Sequence, residues 1–153
     1  MVKTPLLHPG ILAALAGAGH GSRVLIADGN YPFATGCLPG TRIEYLNLRP
    51  GVVSVPEVLE TILRVIPVES AMVMVPPQGP EPEIHSLIRK ILPGEVTLQK
   101  KDRMSFYEEV RSPDTALLIA TGEQRVWANV LLVIGVVLPG IHAAPVVSPP
   151  RGK

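Results

Sequence analysis

Aromatic residues are scarce in this chain: two Phe, three Tyr and one Trp among 153 residues. Few rings are therefore available to stack on bases, and the basic residues form no patch, because Lys100-Lys101 runs straight into Asp102 and Arg103. A nucleic-acid surface needs clustered cations and stacking platforms, so no nucleic-acid partner is expected. Cysteine is scarcer still. The lone Cys37 cannot close an internal disulfide, which points to a reducing compartment, and no His or second Cys stands near it in sequence to suggest a metal site or an activated thiolate. Charge is also low, at 18% of residues and a net +1. The N-terminal MVKTPLLHPG has no sustained apolar run of the signal-peptide kind, and a cytoplasmic protein is the expectation. Within the uncharged stretch that follows Arg125, the run from Val126 to His142 falls short of the roughly 20 apolar residues a spanning helix needs. Its Asn129, Pro139 and abundant valine favour a buried strand, so no membrane partner is expected.

What is present is apolar material, 46% of residues, enough for one domain with a substantial core and too little chain for two. Pro9 suits a first helical position, and Ile11, Leu12, Leu15 and Ala18 form a stripe that Gly19 stops, predicting a helix over residues 9–18. Val24 to Ala27 is uniformly apolar, as in a strand covered on both faces. Ile43 to Leu48 alternates and reads as a short or edge strand. Ser54 and Glu57 have capping-box spacing ahead of Val55, Val58, Leu59, Ile62, Leu63 and Ile66, which repeat at helical intervals. Ala71 to Val75 is a second buried strand. A third helix over Glu83 to Leu92 has Ile84, Leu87, Ile88, Ile91 and Leu92 on its inner face, leaving His85 off the stripe and solvated. Glu95 to Gln99 reads as a strand, Asp102 to Arg111 as a short helical turn, and Thr115 to Ala120 and Val130 to Leu138 as the last strands. Residues 139–153 carry four prolines without periodicity and predict an extended or disordered tail. Strands alternating with helices over residues 1–138 define an α/β domain, three layers α/β/α, with a largely parallel mixed sheet.

The stretch most suggestive of chemistry is Ala16 to Pro32, AGAGHGSRVLIADGNYP. His20 sits between two glycines in a helix-to-strand turn, and Asp28 ends the strand, where open α/β sheets bind ligands. These glycines are not a dinucleotide loop. In that fingerprint they follow a strand and open a helix, whose positive end faces the pyrophosphate, and here the order is reversed. Taken alone, His20 could equally serve the turn by hydrogen bonding and Asp28 could cap the turn after it. Arg103 could be a solvated partner of Asp102, Trp127 simple core, and Glu123 a turn carboxylate.

The sequence resembles the ribose pyranase and fucose mutarotase family of sugar-anomer-converting enzymes. The residues that carry the likeness are His8-Pro9, GHG at Gly19 to Gly21, IADGNYP at Ile26 to Pro32, RMSFYE at Arg103 to Glu108, TGE at Thr121 to Glu123, and WAN at Trp127 to Asn129 before an apolar strand. The match spans residues 5 to 138. The resemblance implies His20 as general acid, Asp28 as a sugar-binding acid, Arg103 at a position held by Arg in fucose-type members and His in ribose-type ones, and Asn129 as the end of a Tyr-x-Asn motif. Trp127 departs from that motif: indole offers one N–H and a flat face but exchanges no proton as a phenol does. The implied reaction interconverts anomers or ring forms of a free monosaccharide by acid–base chemistry, for which imidazole is suited near neutral pH, without metal or redox cofactor. Arg103 favours a fucose-like substrate; NLRPGV at Asn47 to Val52 and the alanine of WAN look more ribose-type. A non-catalytic sugar binder is the alternative that Trp127 leaves open. Family members assemble into rings, commonly decamers, so a homo-oligomer is expected, with Trp127 and Asn129 facing the His20 of another chain.

Overall fold

A computed structural model describes residues 3–139. Four helices and six strands follow in the order α1 (Pro9–Gly17), β1 (Arg23–Ala27), β2 (Arg42–Tyr45), α2 (Val55–Ile62), β3 (Val68–Met74), α3 (Glu83–Ile91), β4 (Thr97–Lys101), α4 (Arg103–Val110), β5 (Thr115–Ala120) and β6 (Val130–Ile134). The strands form one sheet in the order β2-β5-β1-β6-β3-β4. Pairing is parallel for β2 with β5, β5 with β1, and β3 with β4, whereas β6 runs antiparallel to both β1 and β3. The expected largely parallel, three-layer α/β/α sheet is thus observed. The expected tail, apart from Pro139, lies outside the described residues.

Local chemistry explains most of the element ends. Nδ1 of His8 accepts from the Ile11 amide, leaving Pro9 to open α1, where a missing N–H costs nothing. The Ser54–Glu57 capping box forms as spaced. α2 stops at Ile62, not Ile66: Arg64 and Val65 bond back only three residues, to Thr61 and Ile62, in tighter turns, and Pro67 has no N–H with which to continue a helix. Asp102 caps α4 through the Met104 and Ser105 amides, so its carboxylate serves the helix, not Arg103.

The sheet divides the core. On one face α1, α2 and α3 bury Ile11, Leu15, Val58, Leu59, Ile62, Ile84 and Ile88 against Val24, Ile26, Ile119, Val130 and Leu132. On the other, α4 and the loop after β1 bury Phe106, Val110 and Tyr31 against Leu25, Leu118, Leu131 and Met74. Every residue of β6 is buried, and each Leu or Ile so enclosed is worth about 1.5–3 kcal/mol. The strand ends at Ile134 and not at Leu138 because its partners run out at Arg23 and Val68, leaving Val136, Val137 and Leu138 more than half exposed.

One prediction of the sequence fails on α3. His85 is buried, at 1% exposure, and Leu87 is 38% exposed. The helix is rotated relative to the apolar stripe because His85 is drawn inward by a polar partner, described below.

Candidate functional site

Asp28 leaves the carboxyl end of β1 and Asn129 stands just before β6, its antiparallel neighbour, so the sheet register sets them side by side. Oδ1 of Asn129 accepts from the Asp28 amide at 2.9 Å, and Nδ2 of Asn129 donates to the Asp28 carboxylate at 2.9 Å. The same carboxylate oxygen, Oδ2, takes the Ala128 amide at 3.2 Å, while Oδ1 takes the Asn30 amide at 3.0 Å. Asp28 is 2% exposed. Burial pushes its carboxyl above the ordinary 3.8, and the nearby Glu123 charge adds to this, against the amide bonds that favour the anion. Of about four acceptor positions on a carboxylate, three are engaged by the protein. The fourth position, on Oδ1, makes no hydrogen bond among the described residues.

These residues open onto a cleft of about 170 Å³ lined by Asp28, Asn30, Tyr31, Met74, Arg103, Tyr107, Val126, Trp127 and Asn129. Arg103, at the first turn of α4, makes no ion pair among the described residues. Tyr31 is held by its hydroxyl donating to the Gly36 carbonyl at 3.1 Å and by edge-on contact with Tyr107. Burial raises the Tyr31 phenol, which therefore stays protonated at neutral pH. Trp127 has φ +65°, the single positive φ outside glycine among the described residues. Such a backbone costs on the order of 1–3 kcal/mol and persists when its surroundings hold it.

Beside this cleft lies a larger hollow of about 460 Å³, walled by Asn47, Leu48, Arg49 and Pro50 on one side and Thr121 to Gln124 on the other, with Asn30 common to both. The Thr121-Gly122-Glu123 turn is the hinge pin between them. The Gly122 amide bonds Val53 O, its carbonyl takes the Gly51 amide, and Glu123 O takes the Gly29 amide. A Cβ on Gly122 would collide with the carbonyl oxygens of Val52 and Arg49. Gly122→Ala is therefore expected to lower stability by about 1–3 kcal/mol, because backbone cannot step aside as a side chain can; a denaturant midpoint equal to that of the parent would refute this. Glu123 matches its turn reading. Its two oxygens accept from the Arg125 amide, Arg125 Nε and Nη2, and the Val55 amide. Burial pushes Glu123 up, but these donors outweigh it and leave the carboxyl below its ordinary 4.5.

His20 is elsewhere. It precedes β1, whereas Asp28 follows it, and the five-residue strand alone separates their ends by ~16 Å. Its Nε2 lies 3.0 Å from Oε2 of Glu69, near the start of β3, with both side chains well exposed. So four of the five predicted site residues converge, and the fifth stands at the opposite rim of the same sheet. Residues the sequence did not single out, Asn30 and Met74, also line the cleft. Among the described residues no three His, Cys, Asp or Glu side chains gather as a metal site, and no helix is long and apolar enough to cross a membrane.

The fold and the cleft together define a class: a single α/β domain with a small cleft at the carboxyl ends of its parallel strands, next to an inserted antiparallel one. The chain belongs to the RbsD / FucU transport protein family, whose model matches residues 1–137. It is 34% identical over 137 residues to the D-ribose pyranase of Symbiobacterium thermophilum, covering 89% of this chain and 98% of that one. It is 30% identical over 140 residues to the fucose mutarotase of Mus musculus, covering 83% and 88%. The crystal structure of the fucose mutarotase in complex with L-fucose from Streptococcus pneumoniae superposes with a TM-score of 0.74 at 28% identity, over 90% of this chain and 100% of that one. Bacillus subtilis RbsD, solved with D-ribose, shares the fold at TM-score 0.79 and 22% identity, over 90% and 100%.

Proposed function

We propose that this protein is a cofactor-independent isomerase that speeds interconversion of the anomers or ring forms of a free aldose, with L-fucose the favoured substrate and D-ribose the second. The observation that carries this is the convergence of Asp28, Arg103, Trp127 and Asn129 on one cleft in a chain of this family. Opening a sugar ring requires a proton delivered to the ring oxygen while the anomeric hydroxyl loses one. The resulting aldehyde turns about its C1–C2 bond and recloses with the proton movements reversed. Asp28 supplies its unused lone pair to a sugar hydroxyl, Arg103 supplies donors at the rim, and the indole of Trp127 supplies a flat face for the sugar's C–H groups. The proton donor in this reading is His20, and since one chain holds it a strand's length from Asp28, it comes from a neighbouring copy. Glu69 beside Nε2 then fixes the ring so that Nδ1 faces outward. A homo-oligomer follows, a decameric ring in the form the family resemblance suggests, acting in the cytoplasm.

Saturation-transfer NMR on a panel of aldoses tests the proposal. Enhanced exchange with L-fucose above D-ribose is expected, and Trp127→Tyr should leave its rate unchanged or lower it, as an indole that serves as a stacking face requires. Sugar binding without enhanced exchange of any aldose would replace the isomerase reading by that of a binding protein, the outcome that the loss of the motif phenol at Trp127 favours.

A further inference from the structure

His85 is an expensive residue for its location. It is 1% exposed, and its Nδ1 has no hydrogen-bond partner among the described residues, the nearest acid oxygen, Oε1 of Glu81, being 3.6 Å away. A leucine would fill the space with no polar atom of its own to satisfy. What imidazole adds, besides the looser approach of Nδ1 to Glu81, is one hydrogen bond: Nε2 lies 2.9 Å from the carbonyl oxygen of Trp127. A carbonyl has no proton to give, so Nε2 carries the hydrogen and donates it, which fixes the tautomer. The residue so held is the one with φ +65°, and the two that follow it are tied to Asp28 from the other side. The turn is therefore clamped twice, at the Trp127 carbonyl by α3 and at Ala128 and Asn129 by the end of β1. Since backbone conformation sets the direction of the Cα–Cβ bond, holding that carbonyl aims the indole at the cleft it lines.

We propose that His85 is a positioning residue for the sugar site: its Nε2–H holds the left-handed Trp127 backbone and so keeps the indole in place as one wall of the cleft. This rests on the reading of the cleft as a sugar site. His85 touches no substrate in this arrangement and acts through Trp127.

Trp127 is the sole tryptophan, so emission excited at the red edge, beyond tyrosine absorption, reports its surroundings alone. His85→Leu, which removes the donor and keeps the bulk, is expected to shift that emission and raise its quenching by acrylamide. With L-fucose, KM should rise about tenfold while kcat changes less than about threefold, the pattern of lost binding common to ground and transition states. His85→Gln, whose Nε2–H reaches to a similar depth, should restore both. A folded His85→Leu protein with parental emission and quenching would overturn the proposal, as would a His85→Gln protein that behaves like His85→Leu. If His85→Leu does not fold, His85→Asn takes its place: too short to reach Trp127, it should lose the native emission that His85→Gln keeps, and equal behaviour of the two overturns the assignment. Failure of the isomerase reading is distinguishable, because a parent protein inactive on every aldose leaves the emission arm to judge His85 by itself.

Discussion

Replacing His20 with alanine is expected to lower the catalysed exchange by about 10²–10⁴-fold, the usual worth of a positioned acid–base group, with little change in fold or stability. The side chain is 60% exposed and lies between Gly19 and Gly21, and its contact with Glu69 is of a surface kind worth at most about 1 kcal/mol. The separation of His20 from Asp28 adds a sharper expectation. If each site combines His20 of one copy with Asp28 of another, a protein carrying His20→Ala and one carrying Asp28→Asn should each have little activity when the sugar is held well below the parental KM. Random mixed oligomers at equal proportions should recover about one quarter of parental activity, because a closed assembly then contains sites built from the two unaltered halves. Co-refolding the two variants and measuring exchange checks this. A monomeric mass by light scattering, or no recovery in oligomers shown to be mixed, would sink the shared site. Undiminished turnover of His20→Ala would remove His20 as the acid.

The second large effect is expected at Asp28. Asparagine keeps the shape but presents an NH2 to one set of donors now facing an oxygen. Its best orientation keeps the Ala128 and Asn129 bonds and sets its own N–H group against the Asn30 amide. Leaving a buried donor unmet costs about 1–3 kcal/mol, so Asp28→Asn should lower stability by that amount besides weakening sugar binding. The pH dependence has a definite sign. Burial raises the folded-state value of Asp28 above 3.8, so the folded form retains a proton that the unfolded chain has released, and the resulting stability is present below 3.8 and lost as pH rises through the folded value. The stability gap between parent and variant should therefore narrow as pH rises from below 4 toward neutrality. Glu123, shifted the other way, contributes stability that is present above 4.5 and lost as pH falls, but its own donors are the same in both proteins, so most of that contribution cancels in the difference. Urea unfolding of both proteins at several pH values measures this. A variant as stable as its parent throughout would show that Asp28 does not organise the turn.

Much of this was legible in the chain because its causes are local. The spacing of Ser54 and Glu57 determined a helix start, the unbroken apolar runs of β1 and β5 determined buried strands, and the alternation of residues 43–48 an edge strand, though shortened to Arg42–Tyr45. The place of Asp28 after a buried strand marked it as a candidate at the sheet end where the cleft lies. Where signals were weaker the bounds slipped: β4 lies at Thr97–Lys101, two residues beyond the expected Glu95–Gln99, because an edge strand with a mixed burial pattern carries little periodic signal.

Other features had no local cause. A helical stripe states which side of α3 is apolar, but the position of His85 depends on a carbonyl 42 residues away, and a polar partner outweighed the exposure that its polarity predicted. The left-handed backbone at Trp127 has no signature in a tryptophan, since that conformation is tolerated by virtue of the clamps around it. The sequence by itself determined the elements, their buried faces and the residue types able to carry acid–base chemistry, because these follow from contacts a few residues apart. Tertiary structure alone decided that β6 enters antiparallel between β1 and β3, which brings Asn129 to Asp28 across 101 residues and leaves His20 at the far rim. That choice is made by packing a wholly apolar strand at the centre of the sheet, where burial on both faces is greatest, and no short-range pattern encodes which neighbours it will find.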